Sequence, residues 1–175
     1  GDRMAAFATG VTGIWDTSDA VGPVPLTTGP STGDERSTGA GAITPDGETM
    51  VVGYSGGSVE LFDITEPSAP RRIGEPIHDS DAMIASTLLS PDGSILAVGG
   101  DDGLVRLYDI TDPAAPTLLS EPIAAASGVV STAPISWDGR LLAISGSDAR
   151  IHLIDISDRR QPVEIADLEG FDSDT

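Results

Sequence analysis

Two histidines, His78 and His152, and three sets of closely spaced carboxylates are the side chains from which a catalytic or metal-binding centre could be built. An imidazole can act near neutrality as acid, base or ligand, so each histidine is weighed first. His78 stands beside Asp79 and Asp81 in a polar segment, and neither histidine is accompanied by a Gly-x-Ser-x-Gly elbow or by zinc-type spacing. The pairs Asp79 and Asp81, Asp101 and Asp102, and Asp172 and Asp174 do not form the Asp-x-Asp-x-Asp-Gly array that wraps calcium. The glycine-rich runs 53–57 and 99–103 lead into strand-like sequence, so the helix N-terminus that would hold a phosphate is missing. The expectation is a chain with no catalytic residue, no cofactor and no metal.

The elements that carry these residues are repeats. Pro45-Asp46-Gly47, Pro91-Asp92-Gly93 and Trp137-Asp138-Gly139 recur at a spacing of 46 residues, and so do Asp63-Ile64-Thr65, Asp109-Ile110-Thr111 and Asp155-Ile156-Ser157, with Asp16-Thr17-Ser18 one copy earlier at 47. A fixed period of this length signals a repeat architecture. Aligned on Asp16, Asp63, Asp109 and Asp155, the two preceding columns are apolar: Ile14-Trp15, Leu61-Phe62, Leu107-Tyr108 and Leu153-Ile154. The column before them is variable and polar (Gly13, Glu60, Arg106, His152), behind Thr12, Val59, Val105 and Ile151. This near-alternation predicts a strand with one face more buried than the other, and places His152 toward solvent or a neighbouring unit's edge. A proline follows each Asp by seven residues (Pro23, Pro70, Pro116, Pro162), marking where one strand has ended.

Each triplet opens a further strand (Thr49 to Tyr54, Ile95 to Gly100, Leu141 to Gly146), and a Gly/Asp/Ser turn then makes a hairpin with the Asp-terminated strand. Asp102 and Asp148 sit in those turns, where an Asp side chain caps backbone amides. With one strand after the proline and one before the triplet, four strands make a repeat, fifteen in all, and no segment shows helical periodicity. The fold class is therefore all-β, and the recurring Asp46, Asp92 and Asp138 with Gly47, Gly93 and Gly139, like the strand-end aspartates, are expected to build the repeat.

The segment from Ser90 to Asp109 resembles the core of a WD-repeat blade, and Ile14-Trp15-Asp16 supplies a literal Trp-Asp pair. Asp112-Pro113-Ala114-Ala115-Pro116 is similar to WD repeats of multidomain bacterial, especially actinobacterial, signalling proteins; the Asp-Ile-Ser-Asp segment at 155–158 also resembles LVIVD-type propeller repeats. The resemblance implies a β-propeller of four-stranded antiparallel blades, about four of them in an open, truncated arc. Blades are expected near 1–37, 38–78, 79–124 and 125–170 of a single propeller fragment, the first without its innermost strand; seven such blades would need roughly twice this length. Only His78 lies near the family's usual histidine slot, two residues out of register, and Trp137 replaces a triplet proline, so the family's buried hydrogen-bond network is mostly absent.

The net charge of −19 argues against binding phosphate backbones, and no stretch approaches the eighteen or so apolar residues of a membrane span. All nine basic residues are Arg, and the chain holds no cysteine, which suits a reducing, cytoplasmic setting. The expected role is a non-catalytic protein-interaction or scaffold module of a larger bacterial signalling or regulatory protein. Its partner would be a protein of unstated identity, with self-association through open blade edges. Arg71 and Arg72, and the polar stretch 27–41 with Asp34, Glu35 and Arg36, are the expected contact loops. The alternatives are a propeller-type hydrolase or lactonase and the sensor region of a STAND-type NTPase or kinase.

Overall fold

The computed structural model describes residues 3–8, 11–17, 24–28, 38–78, 80–124 and 127–169. Within them the chain turns at each triplet because Gly47, Gly93 and Gly139 take φ of 78°, 73° and 71°, a left-handed conformation open to glycine without strain. The resulting strands form four antiparallel sheets and no helix among the described residues. The first holds β1 (Arg3–Ala8), β2 (Val11–Asp16) and β3 (Val24–Thr28); the second holds β4 (Thr38–Ile43), β5 (Thr49–Tyr54), β6 (Val59–Asp63) and β7 (Arg71–Ile77). The third holds β8 (Ile84–Leu89), β9 (Ile95–Gly100), β10 (Leu104–Asp109), β11 (Thr117–Leu118) and β12 (Ile123–Ala124); the fourth holds β13 (Val130–Thr132), β14 (Leu141–Gly146), β15 (Arg150–Asp155) and β16 (Val163–Glu169). In the first, second and fourth sheets chain order is spatial order; in the third, β11 and β12 both pair with β10.

The register repeats as the sequence does. Thr49 faces Asp63, Ile95 faces Asp109, Leu141 faces Asp155 and Arg3 faces Asp16, so the four Asp-terminated strands are equivalent. Among the described residues the first sheet has no counterpart of β4, β8 and β13.

Among the described residues sixteen strands stand where fifteen were expected, because the outer strand of the third sheet is split into β11 and β12. In β7 the chain absorbs a register shift through Gly74, which takes φ of 62°. The equivalent residue in the third sheet is Ser120, which does not take a positive φ; there β10 pairs with β11 at Leu118 and with β12 at Ile123, and the Leu119 amide still donates to the Leu107 carbonyl at 2.8 Å. The strand before the last triplet, β13, is also shorter than its equivalents β4 and β8. Pro134 has no N–H to add to the ladder, and only an isolated bridge from Ile135 to Leu142 continues the pairing.

Successive sheets stack face to face. Ile14 packs with Met50, Val52 and Phe62 between the first and second sheets; Val51, Val59 and Leu61 with Ile84, Leu96 and Tyr108 between the second and third; and Ile95, Val105 and Leu107 with Leu142, Ile144 and Ile154 between the third and fourth. Among the described residues none of these clusters joins the fourth sheet to the first, and the sheets form an open arc. The expected difference between strand faces fails in the middle of the arc: every residue of β9 is buried, because each face meets another sheet. It fails differently at the last sheet, where Ile151 is 37% exposed although its equivalents Val59 and Val105 are exposed by 1% and 0%.

Candidate functional site

Two rims are built from repeated polar residues. At the first, each triplet aspartate closes its own turn. Asp46 Oδ1 accepts from the Thr44 hydroxyl (2.5 Å) and the Glu48 amide (3.0 Å); Asp92 Oδ1 accepts from the Ser90 hydroxyl (2.5 Å) and from the Ser94 amide (3.0 Å) and hydroxyl (2.8 Å); Asp138 Oδ1 accepts from the Ser136 hydroxyl (2.6 Å) and the Arg140 amide (3.2 Å). The same hydroxyls accept from the amides of Thr49, Ile95 and Leu141 at 3.0, 2.8 and 2.9 Å, fastening the turn to the next strand. Bonds to the ionised form hold the Asp92 carboxyl down at about 2, chiefly through Ser90 and then Ser94; Asp46 and Asp138 are lowered in the same way, first by Thr44 and Ser136. Thr44, Ser90 and Ser136 were missed in the sequence, although a hydroxyl two residues before every triplet Asp was there to be read.

The strand-end aspartates lie on this rim too. Asp63 accepts from the Thr65 amide and hydroxyl (2.9 and 2.6 Å), Asp109 from those of Thr111 (2.9 and 2.7 Å), and Asp155 from the Ser157 amide (2.8 Å). The backbone of Asp16 pairs with Arg3 and Val24; its side chain lies outside the described residues. Between the second and third sheets an open cleft of about 410 Å³ is lined by Asp46, Glu48, Asp92 and Pro113 among others. Its triplet carboxylates are occupied by their own turns, which leaves them poor candidates for ligation or proton transfer. Trp137, in place of a triplet proline, projects from the same rim and is 89% exposed.

The opposite rim carries the hairpin turns and His152. Asp102 Oδ1 accepts from the Leu104 amide at 3.1 Å and Asp148 Oδ1 from the Arg150 amide at 3.2 Å, so both cap their turns. The column of Gly13, Glu60, Arg106 and His152 is not turned to solvent: Glu60 and Arg106 are buried, and the His152 side chain is only 12% exposed. The reason is the stacking of sheets, which covers both faces of a strand, so a polar side chain here must find partners within its own sheet. Glu60 takes the Tyr54 hydroxyl at 3.3 Å, and Arg106 Nη2 takes Asp102 Oδ2 at 2.7 Å. His152 Nδ1 lies 2.8 Å from Glu164 Oε1, its Nε2 lies 3.5 Å from Asp148 Oδ2, and Asp167 Oδ1 is 3.9 Å from Nδ1.

His152, Glu164 and Asp167 bring ligand-type atoms within 4.8 Å of one another. The Arg150 guanidinium already holds Asp167 Oδ1 at 2.7 Å, and Glu164 holds the imidazole, so the cluster is an ion-pair network complete without a cation. His78 is exposed, with Nε2 3.7 Å from Asp81; Asp79, Asp172 and Asp174 lie outside the described residues. Arg71 and Arg72 open strand β7 instead of lying in a loop, and Arg72 Nη1 is 3.9 Å from Glu60. Of the stretch 27–41, residues 27–28 end β3 and 38–41 open β4; Asp34, Glu35 and Arg36 lie outside the described residues.

No helix among the described residues is long and apolar enough to cross a membrane. Residues 76–109 match the family described as WD domain, G-beta repeat. No curated protein matches the chain. Among solved structures, the chain is similar to the β-propeller domain of Myceliophteria thermophila Cps50 (Swd1), with 17% identity and a TM-score of 0.74 over 97% of this chain and 56% of that one. The chain thus spans about half the length of that solved structure. Its period, its successive antiparallel sheets and these likenesses agree: the chain folds as an open β-propeller arc, one of whose repeats matches the WD domain, G-beta repeat family.

Proposed function

We propose that this chain is a non-catalytic protein-interaction or scaffold module within a larger bacterial signalling or regulatory protein of the cytoplasm. The observation that carries the reading is the contrast on the triplet rim. The carboxylates that could do chemistry are consumed by their own turns, while Trp137 is presented to solvent. An exposed indole is a typical anchor for a protein partner. The net charge of −19 disfavours nucleic acid as that partner.

The test has two arms. The first is an esterase and lactonase screen of the intact protein with and without divalent metal, in which no turnover dependent on a histidine is expected. Activity abolished by His78→Ala or His152→Ala would overturn the reading. The second arm reconstitutes the protein with a purified partner and measures affinity with Trp137→Ala, where a loss of about tenfold or more is expected for an anchor residue.

A further inference from the structure

We propose that His152 is a proton-dependent clamp that holds the outer strand β16 onto β15, closed while the imidazole is charged and loosened when it is neutral. The proposal is independent of the interaction-module reading.

The repeat itself supplies the comparison. Asp102 and Arg106 of the third sheet occupy the positions of Asp148 and His152 of the fourth, each pair 46 residues on. The third sheet joins its pair through a permanently charged guanidinium at 2.7 Å. The fourth uses a group that titrates near neutrality. Around the imidazole stand Asp148 from the β14–β15 turn and Glu164 and Asp167 from β16, with Arg150 of β15 bound to Asp167. The Asp148 carboxylate is held toward the ring by the Ser127 amide at 3.0 Å. No carboxylate of the third sheet pairs with the imidazole among the described residues.

A neutral imidazole has one N–H and can serve either Glu164 or Asp148; the imidazolium donates toward both. Nε2 is buried without a hydrogen-bond partner, its nearest acceptor being Asp148 at 3.5 Å, so deprotonation removes an attraction the site cannot replace from water. It also leaves three carboxylates facing one another with only Arg150 to offset them. Burial pulls the His152 pKa down, but the bond to Glu164, the attraction of Asp148 and the charge of Asp167 outweigh it, and the net shift is upward. A raised folded-state value means that the clamp contributes fully below the unfolded value of about 6.5 and is lost as pH rises through the folded one. Strand β16 carries the exposed Val163, Ile165 and Leu168, so loosening it would rearrange an apolar strip at the open end of the arc.

The experiment is amide hydrogen exchange of residues 163–169, corrected for intrinsic chemical exchange, between about pH 5 and about pH 8. A ring-proton NMR titration, with the His78 signal assigned through His78→Ala, follows the same range. Protection of β16 is expected to fall as the His152 ring loses its proton. His152→Arg, which restores the pairing of the third sheet, is expected to keep β16 protected throughout; His152→Gln is expected to leave it less protected at every pH. Protection that does not change across the range, or that changes equally in His152→Arg, would overturn the clamp. So would a His152 ring that titrates at or below the ordinary histidine value.

Discussion

The Arg3 guanidinium donates to the Ile64 carbonyl at 2.6 Å and to the Gly47 carbonyl at 2.8 Å, pinning the first sheet to the turn rim of the second. Two charge-assisted bonds from one side chain bridge elements that are otherwise joined by apolar packing around Ile14. Arg3→Ala should cost about 1–3 kcal/mol in urea unfolding. A change below about 0.5 kcal/mol, the scale of an ordinary surface substitution, would show that the bridge contributes nothing.

Ser90 is buried and serves two partners, donating to Asp92 and accepting from Ile95. Ser90→Ala should cost about 1–3 kcal/mol, because the Ile95 amide is left buried and unpaired. The carboxyl it serves gives a pH signature. The Asp92 pKa is lowered from 3.8 to about 2, so its contribution is present above about 4 and disappears as pH falls toward 2. Asp92→Asn should flatten this acid limb of the stability profile, and an unchanged limb would mean that the contribution lies elsewhere.

A glycine in β7 carries a conformational demand that serine meets poorly. A Cβ at Gly74 would lie 2.5 Å from the Ala114 carbonyl oxygen, and its φ of 62° is unfavourable for other residues. Gly74→Ser should destabilise the protein by more than about 1 kcal/mol, visible as a lower melting temperature. Ser120→Gly, the reverse change in the third sheet, should be tolerated and should raise amide protection in the segment between β11 and β12.

Trp137 makes the opposite case. Its side chain is almost wholly in solvent, so Trp137→Ala should move stability by no more than about 0.5 kcal/mol while weakening partner binding. A large drop in melting temperature would make it a structural residue and remove the argument for a partner anchor.

What the sequence by itself determined is what short-range chemistry can write. Triplet turns require a glycine at positive φ and a carboxylate that can fold back onto its own amides, and both requirements are met by adjacent residues that recur every 46 positions. Hairpin order follows from those turns, and an all-β repeat from hairpin order. Even the missed hydroxyls of Thr44, Ser90 and Ser136 were local and legible. The position of His152 was not. Alternation along a strand tells which residues share a face, but whether that face meets water or another sheet is set by stacking, a contact between residues dozens of positions apart. Stacking buries Glu60, Arg106 and His152 together and obliges each to find a partner in its own sheet. It also leaves Ile151 in solvent while its equivalents Val59 and Val105 are covered, because a residue's burial depends on the sheet beside it and identical strand chemistry carries no record of that neighbour.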